Sequence, residues 1–131
     1  MKKKNAKKKV LITAAIVVIL LSIGITVTVS GLSEGKNVVL DGIELAGIPD
    51  GSYTGAYEHG RWTNTLTVHI GNGKITGVDI VKDVAAAGVT NCSEEVFRRV
   101  VEYQDTRVDA VSRATVTSKA YLKAIENALN R

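Results

Sequence analysis

The chain has 131 residues, 45% hydrophobic and 23% charged, with a single cysteine, a single proline and a formal net charge of +4. Six of its 17 Lys and Arg lie in the first nine residues, leaving 11 bases against 13 acids beyond Lys9. The remainder therefore has no basic field to attract nucleic acid, Cys92 has no partner for an intramolecular disulfide, and one modest core is the most that this length allows.

Residues 1–9 carry six lysines and no acid, and residues 10–29 form an uncharged run of mostly Leu, Ile, Val and Ala. As a helix, twenty residues rise about 30 Å, the thickness of a hydrocarbon core. The hydroxyls of Thr13, Ser22, Thr26 and Thr28 can return to carbonyls of the same helix, so they do not prevent a span. Lysines on the N-terminal flank keep that end cytoplasmic, where they meet anionic lipid. The expectation is a single-pass cell-membrane protein: basic tail at 1–9, anchor at 10–29, C-terminal part extracytoplasmic. A cleaved secretory signal has the same charged-then-apolar order, but its apolar region usually covers about 7–15 residues. Thr28 and Ser30 offer it a weak cleavage site, and no Cys closes the run for lipidation.

Residues 30–49 read as a spacer punctuated by Gly31, Gly35, Gly42, Gly47 and Pro49, with a candidate edge strand at 38–40. Residues 52–57 hold Tyr53, Thr54 and Tyr57, which suit a pleated sheet. Residues 61–70 alternate, with Trp62, Asn64, Leu66, Val68 and Ile70 on one face and Thr63, Thr65, Thr67 and His69 on the other. The Gly71-Asn72-Gly73-Lys74 turn and a return strand over 75–84 complete a hairpin. Ser93 reads as an N-cap, with Glu94 and Glu95 in the first turn. In that helix Val96, Phe97, Val100 and Val101 oppose Arg98, Arg99 and Glu102. A last helix over 118–130 buries Ala120, Tyr121, Ala124, Ile125, Ala128 and Leu129. The fold class is α+β: a small antiparallel sheet packed by helices, preceded by one N-terminal transmembrane helix.

Residues 108–118, rich in hydroxyls, lead into the last helix. Free amides and the dipole at a helix N-terminus suit an anion, and nearby hydroxyls add donors. Spacing alone favours plain helix capping, with Asp109 ordering a turn. Asp109-Ala110-Val111-Ser112-Arg113-Ala114-Thr115, however, resembles the flavinylation motif of the FMN-binding domain family. That domain occurs in the C subunit of sodium-pumping NADH:quinone reductase and the G subunit of the related ferredoxin-linked complex. The family pattern is Asp, two variable residues, Ser or Thr, Gly, Ala and Thr; Asp109, Ser112, Ala114 and Thr115 match. Asp50-Gly51-Ser52-Tyr53-Thr54-Gly55, Asn72-Gly73-Lys74-Ile75 and Thr117-Ser118-Lys119-Ala120 are also similar to the family, so the resemblance covers residues 50–131.

The resemblance implies FMN esterified through its phosphate to Thr115 by a dedicated flavin transferase. Asp109, Ser112, Arg113, Ala114 and Thr117 would form the rest of the cofactor site. It implies an electron-transfer module serving membrane or extracytoplasmic redox partners, a carrier rather than a stand-alone enzyme. Arg113 replaces the family's Gly. It is costly if that position has positive φ, but its guanidinium suits phosphate oxygens. The competing reading is a tethered ligand- or protein-binding domain of the same fold that has lost flavin. His59 and His69 have no Cys or acid cluster to complete a metal site, and Cys92 reads as a small buried side chain. Trp62 reads as a core aromatic, with stacking on the isoalloxazine as the alternative. Arg98 and Arg99 read as a solvated face, and no Ser/His/Asp arrangement suggests a hydrolase.

Overall fold

The computed structural model describes residues 2–29, 32–83 and 92–130, which fall into two units, Met1–Ser30 and Gly31–Arg131. In the first unit helix α1 spans Lys2–Val29, so the helix continues back through the lysine tail, as lysine's good helix propensity permits. Its Lys7–Ile25 stretch is long and apolar enough to cross a membrane, and none of it is buried within the protein. The Thr13 hydroxyl donates to the Lys9 carbonyl at 2.9 Å and Ser22 to that of Val18, so neither hydroxyl needs water for a partner.

The second unit contains α2 (Leu32–Lys36), β1 (Gly51–Tyr57), β2 (Asn64–Gly71), β3 (Lys74–Asp83), α3 (Cys92–Tyr103) and α4 (Thr115–Leu129). The strands form one antiparallel sheet in the order β1-β2-β3, and the α+β class is as expected. Alternation in β2 aims Leu66, Val68 and Ile70 at the core, while Thr65, Thr67 and His69 lie on the opposite face. Val96 and Val100 of α3 and Leu122, Ala124, Ile125 and Ala128 of α4 close over that core. Each large apolar side chain buried there contributes about 1.5–3 kcal/mol. Gly55 lets α4 lie directly on β1, since a Cβ there would stand 2.3 Å from both the Ala124 carbonyl oxygen and the Ala128 nitrogen.

Asn72 (φ 53°) and Gly73 (φ 71°) turn the hairpin with the two positive φ values of a type I′ turn. The Asp50 carboxylate accepts the Asn72 and Gly73 amides at 2.9 and 3.1 Å, which holds its carboxyl below the usual range. Gln104, just past α3, accepts the Ile75 N–H at 2.7 Å and donates to the Ile75 carbonyl at 2.9 Å, acting as a short strand partner for β3. The Tyr121 hydroxyl donates to Asp83 and ties α4 to the end of β3; burial first, then that bond, pushes its pKa up.

Several elements differ from the sequence expectation. Residues 38–40 form no strand. Lys119 instead donates to the Lys36 and Val38 carbonyls at 2.5 and 3.2 Å, and Lys123 to the Val39 carbonyl at 3.2 Å and Asp41 at 3.1 Å. Buried Glu126 accepts the Gly42 N–H at 2.9 Å, the Thr106 hydroxyl at 2.7 Å and Lys123 at 2.8 Å, so its charge is fully partnered. The stretch that reads as a spacer is thus bound to α4 from Lys36 to Gly42. Trp62 sits in a 3-10 turn, Gly60–Trp62, ahead of β2 rather than in it, and packs with Val116 and Ala120. Helix α3 starts at Cys92, placing Ser93 inside its first turn. Ser30, in the candidate cleavage site, and Val84, the expected end of the return strand, lie outside the described residues.

Candidate functional site

Helix α4 starts at Thr115, three residues ahead of the expected Ser118. The turn before it, Val111 to Ala114, closes with the Ala114 N–H donating to the Val111 carbonyl at 3.0 Å. Arg113 has φ 68° and Ser112 a negative φ. A negative then a positive φ is the pattern of a type II turn, whose third residue is normally glycine. An L side chain in that conformation costs about 1–2 kcal/mol. Side-chain hydrogen bonds brace the turn and its approach nonetheless. The Ser118 hydroxyl donates to the Ala114 carbonyl at 2.8 Å and accepts the Val111 N–H at 3.0 Å. From the other side Arg99 donates to the Asp109 carbonyl at 2.5 Å.

Asp109, Ser112, Arg113 and Thr115 are exposed along this segment, and Ala114 is buried. Thr117 is only 7% exposed and faces the interior, so the structure does not group it with the exposed hydroxyls. The first intrahelical bond of α4 runs from the Ser118 N–H to the Ala114 carbonyl at 2.8 Å. The amides of Thr115, Val116 and Thr117 therefore lie outside the helix ladder, and no side chain caps them from Ala114. Thr115 presents its hydroxyl at this positive end of the helix dipole. Behind it, Val116 packs on Trp62, and Gly35 of α2 approaches so closely that a Cβ would stand 2.3 Å from the Val116 Cγ1.

A groove of about 670 Å³ runs beside the segment, between α3 and residues 107–112; Arg98, Arg99, Tyr103, Arg107, Asp109 and Ser112 line it. Its volume falls in the range of small-molecule sites. Arg98 pairs with Glu95 and Glu102 at 2.9 and 2.6 Å, and Arg99 with Glu95 at 2.9 Å. Arg98, then Arg99, lower the Glu95 carboxyl to about 2. Arg99 is thus a brace between α3 and the Asp109 segment rather than part of a solvated face. Sequence reasoning missed this role, and that of Ser118, which reads as the helix start. A Ser four residues after a helix's N-cap carbonyl was the available signal.

The register of the sheet does bring a Ser, a His and an Asp together. Ser52 Oγ lies 2.8 Å from His69 Nδ1, and His69 Nε2 lies 2.8 Å from Asp79 Oδ2. The three residues come from three strands and sit on the exposed face of the sheet, away from the α3 groove. An oxyanion hole needs preorganised donors in a water-excluded site, and this open face is not such a site. His59 pairs with Glu34 at 2.6 Å, and no cluster of three or more His, Cys, Asp or Glu residues able to hold a metal occurs among the described residues.

The family model of the FMN-binding domain matches residues 59–130, which is more than half of the chain. The chain belongs to the FMN-binding domain family. No curated protein matches it. As an FMN-binding domain its cofactor is FMN, and the residues around Thr115 fit the phosphate end of that group. They supply free first-turn amides, the exposed Thr115 and, two residues earlier in the chain, the exposed cation of Arg113. Arg113 occupies the glycine position in the glycine conformation, so this departure from the family pattern has not opened the turn.

Proposed function

We propose that this FMN-binding domain is a membrane-anchored, extracytoplasmic electron-transfer module, with its flavin joined through the phosphate to Thr115. The observation that carries the reading is the exposed Thr115 hydroxyl at the head of α4, behind a closed turn, in a chain of this family. The basic flank and apolar length of α1 support the anchor and its orientation. FMN supplies the redox chemistry when bound. The chain's own residues do the holding: first-turn amides and Arg113 meet phosphate charge, Ser112 adds a hydroxyl, and Asp109 stands at the groove edge. The groove between α3 and residues 107–112 offers a protein wall on one side of the site. The role resembles that of the flavinylated subunits of the sodium-pumping and ferredoxin-linked complexes, with a flavin transferase and membrane redox partners.

The competing reading, a tethered binding domain without flavin, is favoured by one observation, the arginine held at φ 68°. Expression of the full chain with a flavin transferase, followed by membrane fractionation, separates the two. The proposal expects a yellow membrane fraction that bleaches with dithionite and recovers in air. Protease added outside intact spheroplasts should remove the domain. A colourless chain in both wild-type and Arg113→Gly forms favours the binding domain, and a protected domain reverses the orientation.

A further inference from the structure

Two exposed hydroxyls, on Ser112 and Thr115, stand three residues apart at the head of α4, and buried Thr117 lies just beyond. We propose that Ser118 is the positioning residue that makes Thr115 the acceptor, by clamping both ends of the strained turn before it. The inference rests on the flavin reading above.

Ser118 is fully buried, and its hydroxyl has one proton and two lone pairs to place. The proton goes to the Ala114 carbonyl at 2.8 Å, and one lone pair accepts the Val111 N–H at 3.0 Å. With that proton committed, the Cys92 thiol at 3.4 Å is the donor to the remaining lone pair. The backbone N–H of Ser118 also donates to the Ala114 carbonyl at 2.8 Å. One buried side chain therefore joins the first and last residues of the turn, and the turn contains Arg113 at φ 68°. Arginine prefers negative φ, so the local preference pulls the turn open. Opening it would free Ala114 from its N-cap position and move Thr115 off the first helical residue. Where a glycine accepts the turn freely, the clamp matters less; with arginine there, it matters more.

Attachment forms the bond from Thr115 Oγ1 to phosphorus and breaks the anhydride P–O bond of an activated flavin phosphoanhydride. It releases the donor's other phosphate and passes the hydroxyl proton to the transferase. Ser118 takes no part in these bonds. Its effect is on where the Thr115 oxygen stands, and positioning of this kind is lost steeply with small displacements.

The experiment is a double-mutant cycle on the full chain: wild type, Ser118→Ala, Arg113→Gly and the double variant. Each is incubated with a flavin transferase and its phosphoanhydride donor, with an established acceptor protein as control. Initial rates are read by intact mass, and attachment is localised by peptide mapping. Hydrogen exchange follows the Val111 amide. The expected result is a loss of about tenfold in Ser118→Ala, the scale of one buried hydrogen bond. Most of that loss should disappear in the Arg113→Gly background. The Val111 amide should lose protection in Ser118→Ala, and Cys92→Ala, which keeps both backbone bonds, should label near the wild-type rate. Wild-type rate in Ser118→Ala, or the same fractional loss in both backgrounds, overturns the positioning role. If Ser118→Ala does not fold but the double variant folds and labels, the clamp is supported. If neither folds, Ser118 is structural and the role is overturned. A wild-type chain unlabelled beside a labelled control removes the flavin reading itself, and the positioning role with it.

Discussion

The hairpin turn and the turn before α4 both contain positive φ, and they meet that demand in opposite ways. At the hairpin, Asn72 and Gly73 are residues that accept such angles, and Asp50 needs only to receive two amides that the turn already presents. Before α4, Arg113 occupies a glycine position, and Ser118 of α4 holds the turn while Arg99 of α3 holds Asp109 just ahead of it. The hairpin is specified by its own residues. The turn before Thr115 is imposed by its surroundings. Local and global preferences agree through most of a folded chain, and conflict is expected where a site is presented. Strain kept in place by surrounding contacts beside an exposed hydroxyl fits that expectation.

The contrast can be broken or sharpened by substitution. The largest effect on stability is expected from Gly73→Val, which forces a β-branched residue to φ 71°. It should cost about 2 kcal/mol or more in denaturant unfolding. Arg113→Gly should act in the opposite direction. Relief of the left-handed arginine outweighs the added freedom of the unfolded chain, for a gain of about 0.5–1 kcal/mol. A loss of stability in Arg113→Gly contradicts the claim that this turn is strained.

Two smaller effects depend on pH. Arg98 and Arg99 lower the folded Glu95 carboxyl to about 2 from its ordinary 4.5. Its contribution is therefore complete above about pH 4.5 and is lost as pH falls toward 2. Glu95→Gln should flatten that acid limb of a Tm–pH profile and loosen Arg99's hold on the Asp109 segment. Asp50 is lowered from 3.8 by the Asn72 and Gly73 amides, so its contribution also holds above that value and fades below it. Asp50→Asn should remove that fading with only a small change in Tm at neutral pH, because the type I′ turn forms on its own residues.

Much of the fold was legible because its signals are local. The alternation from Asn64 to Ile70, the Asn72-Gly73 turn and the apolar run of α1 each declare an element within ten or twenty residues. What escaped depends on contacts between distant residues. Lys119 and Lys123 bind carbonyls more than 80 residues away, which converted the stretch around Val38 from a candidate strand into a strap on α4. The Ser52–His69–Asp79 chain exists only in the register that sets Ser52 opposite His69. At the site, the motif pointed to Thr115, which is exposed. The early start of α4, the burial of Thr117 and the Arg99 bond to the Asp109 carbonyl are not declared by the motif, whereas the Ser118 bond back to Ala114 had a readable four-residue spacing.

The most direct test of the account is peptide-mapped mass spectrometry of the full chain expressed with a flavin transferase, alongside Thr115→Ala. The account predicts a gain of FMN less one water, confined to the peptide carrying Thr115 and absent from the variant. An unmodified wild-type mass, or flavin that persists covalently in Thr115→Ala, would contradict it.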